Sequence, residues 1–105
     1  QWTMGIEYWH PEPGTELDET ALVEQLAARG CRVSRYVYPP GTCFPDHTHG
    51  VAKIEVVLAG RFRMGMAGTS VVLEPGQAIH VPRGAVHNAE VVGDEPVVCL
   101  DAVVS

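Results

Sequence analysis

From Cys31 onward the chain is cut into short runs by turn signals, and this punctuation constrains the fold more than any other feature of the sequence. The breaks are Pro39-Pro40-Gly41, Ala59-Gly60, Ala67-Gly68, Glu74-Pro75-Gly76, Pro82-Arg83-Gly84 and Gly93-Asp94. Between them lie Arg32–Tyr38, Val51–Leu58, Arg61–Met66, Ser70–Leu73, Gln77–Val81, Val86–Val92 and Val97–Val104. Runs this short and valine-rich, with loose alternation at period two, are too brief for helices and predict strands. Short strands joined by Gly- and Pro-containing turns predict an all-β barrel or double-sheet sandwich.

Ahead of that region the pattern differs. Residues 1–30 are expected to form an N-terminal arm and one short helix, and residues 31–105 the β-barrel, together a single domain of 105 residues. A chain of this length buries about 65% of its unfolded surface, enough for a real core. Trp2, Tyr8 and Trp9 precede Pro11 and Pro13, which reads as an edge strand or arm, with His10 at the surface or in an interface. Thr15 or Asp18 can cap the helix, with Glu16, Asp18 and Glu19 at its positive end. Leu22, Val23 and Leu26 make its apolar stripe, and Gly30 is the expected stop.

Composition narrows the partners. The net charge is −6 and no basic cluster occurs, so nucleic acid is not expected. The longest apolar runs, Val56–Ala59 and Val97–Leu100, are far too short to span a membrane. Cys31, Cys43 and Cys99 are too few and scattered for a disulfide framework and fit a reducing compartment. The first residues carry no charged segment leading into an apolar one, so the expected location is cytoplasmic.

The chemistry-bearing stretch runs from Gly41 to Gly60 and centres on His47-Thr48-His49. On an extended strand, residues i and i+2 point the same way, ~6.6 Å apart, so both rings can reach one ion. Alone, such a pair more often marks two half-exposed polar residues than a ligand set. A second stretch changes that weighting: Gly76 to His87 reads Gly-x5-Pro-x-Gly-x2-His. There Pro82 stops a strand, and Gly84 allows a reversal that would return His87 toward the other two histidines.

The first stretch reads Gly-x5-His-x-His, closed by Gly60. In order and spacing the two stretches resemble the paired signature motifs of the cupin superfamily, across roughly half of the chain. The second matches through His87, with Val91 where asparagine usually stands. The first matches in its glycines and histidines, with Lys53 where the family carries glutamate. The resemblance implies a cupin-type β-barrel (a double-stranded β-helix or jelly roll) with one short N-terminal helix. It also implies a divalent transition metal held by His47, His49 and His87. These ligands do not distinguish Fe, Zn, Ni, Mn and Cu. Cupins commonly dimerise, and the aromatic arm would suit a homodimer interface.

Lys53 is the departure with consequences, because an ammonium is repelled by a divalent cation. Three arrangements stay open: Lys53 in solvent, Lys53 at the pocket rim holding an anion, or a vestigial site without metal. Glu55 shares its strand parity and can pair with Lys53, or replace the lost carboxylate if a bulge shifts the register. Cys43 has the parity of His47 and is expected to be a small buried hydrophobe. His80 is expected at the surface or in a structural role, and Met64 and Met66 in the core. The expected function is a small metal-binding cupin, an oxygenase- or isomerase-like enzyme on a small anionic or carbonyl-bearing molecule. In it Lys53 and Glu55 are candidates for orienting substrate. The alternative is a non-catalytic module that binds or senses a small molecule in the same cavity.

Overall fold

The computed structural model describes residues 6–8, in backbone alone, and residues 17–104. The aromatic arm residues Trp2 and Trp9, His10 and the cap candidate Thr15 lie outside the described residues. Within them the chain forms β1 (Ile6–Tyr8), α1 (Glu19–Ala28), β2 (Cys31–Tyr38), β3 (Cys43–His47) and β4 (Ala52–Ala59). It continues with β5 (Arg61–Met66), β6 (Thr69–Leu73), β7 (Gln77–Val81), β8 (His87–Val92) and β9 (Val97–Val104). These strands make two antiparallel sheets, ordered β1-β7-β4-β9-β2 and β3-β8-β5-β6. The fold is the expected all-β jelly roll, with β1 as an edge strand paired to β7.

The expected bounds of β5, β7 and β9 hold, and β3 is the strand that the turn-signal reading did not anticipate. Its proline and its two charged or ionisable residues hide it: Cys-Phe-Pro-Asp-His has little β propensity. Pro45 is tolerated because β3 lies at a sheet edge, where a missing N–H leaves no central ladder bond unmade.

Period-two alternation decides which residues meet. On the larger sheet Ile54, Val56, Ala78, Leu100 and Ala102 face outward and are covered by Leu22 and Leu26 of α1. Asp18 caps that helix by accepting from the Ala21 N–H at 3.0 Å, and Gly30 follows its C-cap, as expected. Their strand neighbours Val57, Ile79, Val81, Val97 and Cys99 face the other way. There they pack against Phe62, Met64, Met66, Leu73, Ala89 and Val91 of the smaller sheet. A central strand thus buries both faces and reads as a continuous apolar run, as in Val97–Val104. In β8, by contrast, His87, Ala89 and Val91 are buried while Asn88, Glu90 and Val92 are less so.

Gly60 closes the β4–β5 turn with φ +78°, and a Cβ there would overlap the backbone carbonyl of Pro96. Gly68 has a similar φ of +77° but open space around it. Gly60→Ala is therefore expected to cost about 3 kcal/mol, and Gly68→Ala about 1–2 kcal/mol from left-handed backbone strain alone. Chemical denaturation of the two variants checks this, and equal losses would remove the steric argument.

Candidate functional site

Two backbone devices bring the histidines together. The first is a bulge in β3. Phe44 pairs with Ala89 and His47 with His87, so one extra residue is accommodated on the β3 side. The bulge lets Phe44 and His47 both face inward although they are three apart in sequence. It also corrects the expectation for Cys43, which is exposed because it lies on the other side of the register shift. The strand ends at His47, so Thr48 and His49 continue as loop rather than as the extended strand that the spacing argument assumed. The second device is the Pro82–Gly84 turn. Gly84 adopts φ +79°, and its N–H donates to the His49 carbonyl at 2.9 Å, tying the two motif stretches together.

The result is a cluster of three imidazoles. Ring centroids are 4.2 Å apart for His47 and His87, 4.7 Å for His47 and His49, and 5.0 Å for His49 and His87. One nitrogen donor from each ring lies within 4.8 Å of the others. His47 Nδ1 donates to the Pro45 carbonyl at 2.7 Å, and His87 Nδ1 donates to the Ala85 carbonyl at 3.0 Å. A carbonyl only accepts, so each Nδ1 carries the hydrogen and each Nε2 keeps its lone pair. That is the tautomer a metal-binding imidazole needs. The donor set therefore fits a transition-metal ion, and among the described residues no carboxylate joins it.

His80, by contrast, is exposed on β7, and Met64 and Met66 are buried, as expected. Met64 also reaches the cavity wall beside the imidazoles.

That cavity has a volume of about 380 Å³. Phe44, Phe62, Tyr36 and Tyr38 form an aromatic side, and Lys53, Glu55 and Asp101 form a charged one. Lys53 does not point to solvent: its Nζ donates to Asp101 Oδ2 at 3.1 Å, and its side chain is 17% exposed. Lys53 pairs with Asp101 rather than with Glu55. Glu55 and Asp101 are direct partners across β4 and β9. Facing carboxyls repel each other when both are charged, which favours a proton on one of them. Asp101 escaped the reading of the sequence, although it left a signal. It is the one charge in the apolar run Val97–Val104, and a charge on a strand buried on both faces requires a partner.

Burial, and then the Asp101 charge and hydrogen bond, hold the Glu55 carboxyl well above the ordinary glutamate range, with Lys53 opposing. Its share of stability is complete below the ordinary value of 4.5 and is lost as pH rises through the raised folded-state value. Glu55→Gln is expected to flatten the alkaline decline in a series of thermal melts. An unaltered slope would mean that Glu55 is ionised in the native state. His49 and His87 act with opposite sign, since burial lowers both below 6.5 and, for His49, Lys53 adds to it. Their share is present above 6.5 and is lost as pH falls through the lowered values. Burial likewise pushes the Cys99 thiol up to about 12, against a hydrogen bond with Tyr38.

The sequence pattern of the cupin domain matches residues 34–103, two thirds of the chain. The chain belongs to the cupin family. A cupin-like protein from Thermotoga maritima shares the fold over 96% of this chain and 68% of its own, with a TM-score of 0.64 and 20% identity. A DMSP lyase from Ruegeria pomeroyi is 29% identical, with a TM-score of 0.61, over 70% of this cupin and 38% of the lyase. An oxalate oxidase in complex with the substrate analogue glycolate is 26% identical, with a TM-score of 0.64, over 72% of this cupin and 42% of the oxidase. The cupin thus spans about four tenths of the length of those two enzymes. No curated protein sequence matches it. Among the described residues no helix is long and apolar enough to cross a membrane.

Proposed function

We propose that this cupin is a metal-dependent enzyme, oxygenase- or isomerase-like, that acts on a small carboxylate or carbonyl compound. In this reading His47, His49 and His87 hold the ion through Nε2, and Lys53 orients the substrate. The observation that carries it is the meeting of three imidazoles, two of them held in the metal-binding tautomer by backbone carbonyls, with a lysine on the wall of one cavity.

Charge supports the substrate class. Three neutral imidazoles leave a divalent ion with its full charge, Lys53 offsets Asp101, and burial disfavours a charge on Glu55. A cavity in that state favours an anionic ligand. The ion, when bound, would supply Lewis-acid activation of a substrate oxygen or a place for dioxygen. The chain's own residues do the rest. Lys53 faces the anion, the aromatic side excludes water from the reacting face, and the carbonyls of Pro45 and Ala85 keep two rings aimed. The oxalate oxidase, in complex with glycolate, is consistent with a small organic acid. The net charge of −6 supports a small-molecule partner rather than a nucleic acid.

The test joins elemental analysis with turnover. Protein reconstituted with each candidate metal is expected to retain about one equivalent after desalting, and the loaded form to convert a member of a panel of small carboxylates. Retention below a tenth of an equivalent for every metal would overturn the metal reading. A carboxylate that binds the loaded protein and is never converted would instead favour the binding or sensing module.

A further inference from the structure

We propose that Asp101 is a built-in stand-in for the ligand: a small carboxylate enters this cavity by taking Lys53 from Asp101, which keeps its cross-strand neighbour Glu55. The inference rests on reading the cavity as a ligand site and does not require the metal.

Four observations carry it. Lys53, Glu55 and Asp101 all line the same cavity as the imidazoles. The Lys53 amine already holds a carboxylate oxygen at 3.1 Å, so its position and reach suit that group. The Lys53 side chain is 17% exposed against 10% for that of Asp101, and Glu55 is buried. The lysine is therefore more accessible to an incoming anion than either acid. Finally, Asp101 has a second partner. Glu55 faces it directly across β4 and β9, a contact that does not depend on Lys53, so the buried Asp101 charge keeps a polar neighbour.

No bond is made or broken in the exchange: Lys53 trades one carboxylate for another. A fixed cation without an internal partner would need to be desolvated in the empty cavity, which is costly. Asp101 meets that need and then sets the selectivity. A ligand displaces it only by offering a carboxylate-like group to Lys53 and a second contact elsewhere in the cavity. A neutral molecule offers Lys53 nothing in exchange.

Calorimetric titration of glycolate into zinc-loaded and metal-free protein tests the exchange. Asp101→Asn is expected to tighten glycolate binding by about tenfold and Lys53→Met to weaken it by about tenfold, a coupling of ordinary size between competing contacts. Glu90→Gln is the control for net charge. It removes one negative charge from the outer face of the smaller sheet, where Glu90 accepts from Arg63, and is expected to leave glycolate affinity unchanged. In wild-type protein, glycolate-induced infrared difference spectra are expected to contain a carboxylic-acid C=O shift that Glu55→Gln removes. That signal tests the exchange even where Asp101→Asn folds poorly. Unchanged or weaker glycolate binding by Asp101→Asn, equal tightening by Glu90→Gln, or a wild-type spectrum without the acid band would overturn the inference. Failure of the wild-type protein to bind zinc would instead refute the three-histidine reading. The order of glycolate affinities in metal-free protein would still decide the exchange.

Discussion

A His87→Ala variant is expected to lose stoichiometric binding of a divalent transition metal, with affinity reduced by about a hundredfold or more, beyond the range seen when only a supporting partner of a ligand is removed. His87 is the most buried of the three rings, at 5% exposure, and it joins the second motif stretch to the first. Its Nδ1 is occupied by the Ala85 carbonyl, so only Nε2 faces the other imidazoles. Neither His47 nor His49 can compensate, because two imidazoles without a carboxylate leave the ion to water. His80→Ala is the matched control, a histidine on the exposed side of β7. Titration calorimetry with zinc and elemental analysis of both variants read the difference. If His87→Ala holds metal as tightly as wild type, the cluster is not the site.

The second large effect concerns stability. Asp101→Ala leaves Lys53 without its counter-ion and Glu55 without its polar cross-strand neighbour, both inside the jelly roll. Removing one member of a buried ion pair typically costs 3–5 kcal/mol, and the opening of the cavity to water places this case near about 3 kcal/mol. For a domain of this size that lowers the melting temperature by about 12 °C or more. The double variant Lys53→Met with Asp101→Leu is expected to recover most of the loss, since no charge is stranded and the apolar side chains fill the space. Thermal melts of the single and double variants decide this. A double variant as unstable as the single one would mean that the acid is needed for something besides holding the lysine.

Much of this architecture was legible before any coordinates. The apolar runs between glycine and proline turns located β5, β7 and β9 to the residue. The Pro82-Arg83-Gly84 reversal announced that His87 would return toward His47 and His49. These features are local: a turn needs particular residues at particular positions, and a half-buried strand needs alternation, whatever lies elsewhere in the chain. The apolar stripe and cap of α1 were readable for the same reason.

The sequence by itself therefore determined most of the strands, the turns and the identity of the three histidines that can meet, while β3 stayed hidden behind its proline. Only the tertiary structure decided how they meet and what surrounds them. Parity counting failed at Pro45-Asp46, because a bulge depends on the register forced by β8 and not on the β3 sequence alone; hence Cys43 lies outside and Phe44 inside. The partner of Lys53 is Asp101, 48 residues away, brought beside it by the pairing of β4 with β9. No local pattern specifies which strand lies next to which. That choice is made by closing two sheets around one core, and the charged side of the cavity is a product of that closure.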